Sequence, residues 1–222
     1  MDNDLLKKLR GKFVVLDGPD GCGKTTQLAR LAETLTAAGE RVVRTRDPGG
    51  TPIGERIRNV LLSKHLDQMD VRCETLLFMA SRAQLVSEVI APALAAGQTV
   101  LCDRFISSTC AYQGAAGDDV EQVIRLGEVA VGEVWPDVTC VLDLPAETGL
   151  ERTRRRPAAA GQDGDAVADA MEARPLAFHR RVRERFRELP EVYPRPVVIV
   201  DASGSLDEVF DGVIEALSHA DF

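Results

Sequence analysis

Gly18-Pro-Asp-Gly-Cys-Gly-Lys-Thr25 constrains this chain more than any other stretch. It satisfies G-x-x-x-x-G-K-[ST] in full. It also follows a short apolar run at 13–16 and opens a segment with helical apolar spacing (Leu28, Leu31, Ala32, Leu35). A loop of this kind works only at a strand-to-helix junction. Its glycines let the backbone fold tightly, so that N–H groups converge on phosphate oxygens, and the helix N-terminus adds positive potential. Lys24 is the candidate for the β- and γ-phosphates, and the Thr25 hydroxyl for Mg²⁺. The candidate triphosphate-binding set is Gly18, Pro19, Asp20, Gly21, Cys22, Gly23, Lys24, Thr25 and Thr26.

Around this junction, strands and helices alternate. Strands are predicted at 13–16, 41–45, 99–102, 138–144 and 196–200. Helices are predicted at 25–38, 53–62, 73–96 (kinked or broken near Pro92), 146–156, 169–189 and 205–218, with a helix-rich stretch at 108–133. This order predicts an α/β fold: a five-stranded, mostly parallel sheet with helices on both faces, in three layers. The segment from Ala158 to Asp165 is small, polar and non-periodic, and reads as a flexible loop. With 222 residues and no internal repeat or linker, one domain over 1–222 is predicted, carrying a mobile lid at about 151–172.

Composition excludes several classes. The net charge is −8 and no lysine-rich tract stands out, which opposes nucleic-acid binding. No apolar run approaches the ~20 residues that span a bilayer, so no membrane partner is predicted. Residues 1–12 are charged and lack the apolar stretch of a signal peptide. The five cysteines are scattered and odd in number, as free thiols in a reducing compartment would be. A cytoplasmic location is predicted. His65, His179 and His219 show no metal-ligand spacing.

A phosphate loop alone does not name a function. The chain has no guanine-reading N-K-x-D motif, which disfavours a GTPase. Thr99-Val-Leu-Cys-Asp103-Arg104 places an acid at a strand's end, where Asp103 could hold Mg²⁺ through water. Arg104 beside it suits a second phosphate.

Four segments, in order, resemble thymidylate kinases. They are the phosphate loop with Thr26-Gln27; Thr45-Arg-Asp-Pro-Gly-Gly-Thr-Pro52 continuing to Gly54-Glu-Arg-Ile-Arg58; Leu76-Leu-Phe-Met-Ala-Ser-Arg82; and Asp103-Arg-Phe-Ile-Ser-Ser-Thr-Cys-Ala-Tyr-Gln-Gly114. The resemblance implies transfer of the γ-phosphoryl group of ATP to dTMP, with Mg²⁺, in a homodimer. It implies that Phe78 stacks on thymine and that Arg82, at i+4 on the same helix face, bonds a thymine carbonyl. On the residues alone, Phe78 would read as core and Arg82 as a surface charge. Arg58 and Arg104 resemble clamps on the acceptor phosphate, a dianion suited to forked guanidinium bonds. Tyr112 resembles the residue packed against the sugar's 2′ position. Ser108, Thr109 and Gln113 resemble polar residues of the thymine pocket, and Asp47 and Pro48 its front edge. Asp20 resembles a loop acid that senses Mg²⁺ or the acceptor sugar. The family usually has Glu where Asp47 stands, and the shorter arm predicts a water-mediated contact there.

Phosphoryl transfer leaves charge on the equatorial oxygens, so an arginine is expected near the transferred group. None of Pro19, Asp20, Gly21 and Cys22 is basic, and Glu151-Arg-Thr-Arg-Arg-Arg156 resembles the lid that supplies it instead. Arg154 and Arg156 are favoured over Arg152 and Arg155, although a solvated helix end would also carry such cations. The catalytic candidates are thus Lys24, Asp20, Arg104, Arg154 and Arg156. The alternatives are a kinase of another deoxynucleotide or of a deoxynucleoside, a catalytically inactive nucleotide-binding module, and, last, a P-loop ATPase acting on macromolecules.

Overall fold

The runs rich in Val, Leu and Ile become strands because β-branched and aliphatic side chains fit a pleated surface covered on both sides. The computed structural model describes residues 3–63, 69–155, 171 and 173–222. In chain order the elements begin with α1 (Asn3–Leu9), β1 (Phe13–Asp17), α2 (Lys24–Ala37), β2 (Val42–Arg46), α3 (Pro52–Leu61) and α4 (Val71–Leu85). A π turn at Val86–Ile90 leads into α5 (Ala91–Ala95), followed by β3 (Thr99–Asp103), α6 (Ile106–Ala116) and α7 (Val120–Val131). The chain then forms β4 (Val138–Asp143), α8 (Ala146–Arg154), α9 (Leu176–Val192), β5 (Val197–Asp201) and α10 (Leu206–His219).

All four strand pairings are parallel, in the order β2-β3-β1-β4-β5. Val15 of β1 sits opposite Cys102 of β3 and Thr139 of β4, so β1 is the sheet's centre. Every residue of β1 is buried. Each of its aliphatic side chains contributes about 1.5–3 kcal/mol by leaving water. An acidic side chain in place of Val15 would break this layer, because nothing nearby could solvate it. Apolar side chains on one face of the sheet pack with α1, α2 and α10; those on the other pack with α4, α6, α7 and α9. The α/β, three-layer expectation therefore holds, with the sheet wholly parallel.

Several boundaries differ from the sequence expectation for local reasons. The stretch at 108–133 is two helices, because Gly117 takes φ 112° and Asp119 caps α7 through the Glu121 N–H. The helix expected from 73 to 96 is interrupted at the π turn, upstream of Pro92. α9 begins only after Pro175, which disfavours helical backbone at Arg174. The proposed loop from Ala158 to Asp165 lies outside the described residues, as do Arg156 and His65.

This topology gathers chemistry at one end. The strands finish at Asp17, Arg46, Asp103, Asp143 and Asp201. The carboxyl ends of parallel strands, beside the point where the strand order reverses, form the crevice in which such sheets bind ligands.

Candidate active site

The phosphate loop bridges β1 and α2. Gly21 has φ +74°, and a Cβ there would lie 2.1 Å from the carbonyl oxygen of Gly149 in α8. A Cβ on Gly149 would in turn meet the Asp20 carbonyl oxygen at 2.2 Å. Two facing glycines thus let the loop lie directly on α8. Lys24 is buried at the start of α2 and donates to the carbonyls of Gly18 (3.0 Å) and Pro19 (2.8 Å). The Thr25 hydroxyl donates to Asp103 Oδ2 at 2.6 Å. The hydroxyl and carboxylate expected at a Mg²⁺ site are therefore neighbours. Both are hard oxygen donors of the kind Mg²⁺ takes in small number alongside phosphates. Among the described residues, no three His, Cys, Asp or Glu side chains cluster as a metal cage.

Arg104 follows β3 in a left-handed conformation, φ 71°, which costs a non-glycine residue of order 1–3 kcal/mol and recurs at functional sites. The surrounding bonds hold it there. Its guanidinium donates to the Gly18 carbonyl (3.1 Å), the Ser108 hydroxyl (3.0 Å) and the Tyr112 hydroxyl (3.3 Å). It pairs with Asp20 at 2.5 Å and lies 5.0 Å from the centre of the Tyr112 ring. Burial alone would pull Arg104 down. Tyr112, Asp20, Asp17 and Asp103 outweigh it, so the guanidinium stays charged. Burial likewise pushes Asp20 up, but Arg104, Lys24 and Tyr112 hold it below the usual carboxylate range.

Asp17 is a buried anchor behind the site that motif reasoning missed. It is fully buried at the end of β1 and accepts from the hydroxyls of Ser107 (2.5 Å) and Ser108 (2.6 Å). Arg104 is 3.5 Å away. Asp17 therefore ties the phosphate loop to the first turn of α6, the helix that carries Ser108, Thr109, Tyr112 and Gln113. Its position at a strand's carboxyl end, immediately before the loop, was the available signal.

The turn after β2 is held by its own residues and by Ser81 of α4. Gly49 N–H donates to Ser81, Gly50 N–H to Glu55, and Gly54 N–H to the capping Thr51, with Pro52 opening α3. This brings Arg58 back so that it donates to the Pro48 carbonyl at 3.0 Å. Asp47 reaches Arg82 of α4 directly, with Nε at 2.7 Å, while Arg82 Nη2 also donates to Thr109 at 3.1 Å. Burial pushes Asp47 up and Arg82 opposes it.

Two adjoining cavities result. One, of about 520 Å³, is lined by Asp47, Pro48, Arg58, Phe78, Arg82, Arg104, Ser108, Thr109, Tyr112 and Gln113, together with Asp20, Leu62 and Met171. All ten residues singled out for the acceptor meet there. The other, of about 1100 Å³, is lined by Gly21, Gly23, Lys24, Thr25, Thr26, Arg46 and Asp103. Asp20, Asp47, Arg58 and Arg104 line both. Arg46, paired with Glu55 at 2.9 Å, is a further cation that the motifs did not reveal. Cys22 is buried within the loop, and burial raises its thiol, which makes it a poor thiolate.

The arginines at the end of α8 line neither cavity. Arg155 pairs with Glu151 at 2.6 Å, and Arg152 reaches the Ala202 carbonyl at 3.5 Å. Arg154 is exposed at the last position of α8.

The sequence profile described as thymidylate kinase matches residues 16–213. Among curated relatives, the thymidylate kinase of Solidesulfovibrio magneticus is 46% identical over 203 residues, covering 90% of this chain and 96% of its own length. That of Syntrophotalea carbinolica is 45% identical over 200 residues, covering 89% and 90%. That of Deinococcus radiodurans is 44% identical over 210 residues, covering 94% and 97%. The paired cavities, the charged seam between them and these matches lead to one conclusion: the chain belongs to the thymidylate kinase family of ATP-dependent phosphotransferases.

Proposed function

We propose that the protein transfers the γ-phosphoryl group of ATP to the 5′-phosphate of dTMP, giving dTDP and ADP. The observation that carries this reading is the seam of Asp20, Asp47, Arg58 and Arg104 common to both cavities. Two nucleotides held on either side would meet phosphate to phosphate across it.

In this reading the ATP phosphates lie along the loop from Gly18 to Thr26, with Lys24 as the cation within the loop. Arg58 and Arg104 hold the acceptor phosphate, and Phe78, Arg82, Ser108, Thr109, Tyr112 and Gln113 surround thymidine. An acceptor phosphate oxygen attacks the γ-phosphorus, and the bond to the β–γ bridging oxygen breaks, leaving its electrons on ADP. Most of the acceleration comes from alignment and from cations fixed before the reaction begins. Arg104 suits this role because five groups restrain it. Thr25 and Asp103 would hold Mg²⁺, which neutralises phosphate charge when bound. Asp20 would orient Arg104 rather than ligate.

The lid segment, about 151–172, would supply the remaining cation. Arg154 is favoured, since Arg155 is already paired with Glu151; Arg156 lies outside the described residues. We further infer one kinase domain over 1–222 and a homodimer, for which the exposed apolar Ile53 and Val60 of α3, Leu76 of α4 and Val129 of α7 offer surface. Among the described residues no helix is long and apolar enough to cross a membrane. The net charge of −8 supports an enzyme that acts on small molecules and not on nucleic acid, and the scattered thiols support a cytoplasmic location.

A panel of nucleoside and deoxynucleoside monophosphates with Mg-ATP, scored by ADP release, tests the assignment. dTMP should give the highest kcat/KM. A faster dCMP, dGMP or AMP, or ATP binding without turnover on any of them, would refute it.

A further inference from the structure

Gln113 is buried in α6 and lines the acceptor cavity, yet its amide is anchored from behind. Its Nε2 donates to Glu74 Oε2 at 3.0 Å. Glu74 is buried in the first turn of α4 and does not line the cavity. Its other oxygen accepts from Arg174 Nη2 at 2.6 Å, and Arg174 itself lies 4.6 Å from the centre of the Phe178 ring. The main chain is fastened as well. The Asp118 N–H donates to the Gln113 carbonyl at 2.9 Å, and the Asp118 carboxylate accepts from Thr75, the residue after Glu74.

A glutamine amide has a donor end and an acceptor end, and a half-turn exchanges them. A carboxylate paired with a guanidinium only accepts, so the donor end must face Glu74. Oε1 is then the end left for the cavity. Beside it Arg82, a donor only, lines the same cavity. Gln113 and Arg82, each held by its own partners, thus offer the cavity an acceptor and a donor of set orientation. Thymine presents N3–H and carbonyl oxygens, which complement that pair. Cytosine presents a bare N3 and an exocyclic amine, which would set acceptor against acceptor and donor against donor.

We propose that Glu74 is a positioning residue that sets the preference for thymine over cytosine by locking the orientation of the Gln113 amide. This rests on the reading of the cavity as the thymidine site.

Glu74→Gln keeps the size of the side chain but lets either end of the Gln113 amide face the base. The ratio of kcat/KM for dTMP to that for dCMP should fall about tenfold, while the KM for ATP stays within about twofold. In a Gln113→Leu background, Glu74→Gln should leave the ratio unchanged, because the amide it controls is gone. An unchanged ratio in the single variant, or an equal fall in both backgrounds, overturns the proposal. If Gln113→Leu alone leaves both the dTMP KM and the ratio at their wild-type values, the thymidine reading of the cavity fails, and the proposal with it. Should Glu74→Gln not fold, ¹⁵N-glutamine labelling of the unaltered protein decides. The Gln113 side-chain amide, identified by its loss in Gln113→Leu, should show one proton shifted strongly downfield by the carboxylate. Two amide protons both at the ordinary shifts of a solvent-exposed glutamine overturn it.

Discussion

Asp47 and Arg82 form an ion pair at 2.5 Å in which each side chain is only 1% exposed. One belongs to the turn after β2 and the other to the last turn of α4, so the pair fixes two walls of the acceptor cavity relative to each other. Removing one member would leave a buried charge without its partner. Asp47→Ala should therefore cost about 3–5 kcal/mol, read from urea unfolding midpoints, and should also raise the KM for dTMP. A loss under about 1 kcal/mol would mean that water or another group takes over the guanidinium.

Gly149 allows a second test, because two principles pull in opposite directions. It lies inside α8, where Ala is better than Gly by about 1 kcal/mol on helix propensity. A methyl group there would meet the phosphate-loop carbonyl of Asp20 at 2.2 Å. That contact is with backbone and cannot be relieved by a side-chain rotation. Gly149→Ala should thus destabilise by about 1–3 kcal/mol and lower kcat by displacing the loop. A more stable, fully active variant would show that the loop and α8 are not in direct contact.

Asp20 gives a pH dependence with a definite sign. Its carboxyl is held below the usual range in the folded protein, against the effect of burial, by Arg104, Lys24 and Tyr112. The unfolded chain therefore takes up the proton first as pH falls. The stability contributed by Asp20 is complete above its unfolded value of about 3.9, and is lost as pH drops from there through the folded value. Asp20→Asn should be less stable than the unaltered protein at pH 7, by an amount that stays level down to about pH 5 and shrinks below about pH 4. A gap that widens on acidification would reverse the assignment.

The thiols sort by exposure. Cys73 is exposed, whereas Cys22, Cys102, Cys110 and Cys140 are buried. Burial pushes Cys110 and Cys140 up to about 12 and Cys102 well above its ordinary value. A colorimetric disulfide reagent should label one thiol rapidly in the native protein and all five only after denaturation. Rapid labelling of Cys22, with loss of ATP binding, would show that the phosphate loop opens to solvent.

Much of this was legible in the sequence because the chemistry is local. The phosphate loop, the turn at Asp47-Pro48 and the Asp103-Arg104 strand end each declare themselves within a few residues, and the sheet follows from five apolar runs. The relationships that cross between elements were not legible. Asp17 is a single acid at a strand end until Ser107, Ser108 and Arg104 are folded against it. Glu74 reads as an ordinary first-turn acid until α6 and Arg174 reach it. Gly149 looks like a poor helix residue until the loop is laid on it. The start of α9 was set too early because helical periodicity says nothing about the restriction that Pro175 places on its neighbour.

The most direct test of the account is a crystal structure with dTMP and a non-hydrolysable ATP analogue bound together. The thymine should lie between Phe78 and Gln113 with Arg82 at its edge. Its phosphate should sit between Arg58 and Arg104, and the triphosphate should be wrapped by residues 18–26. A base bound away from Phe78 and Arg82, or an acceptor phosphate that avoids the arginine pair, would contradict the account.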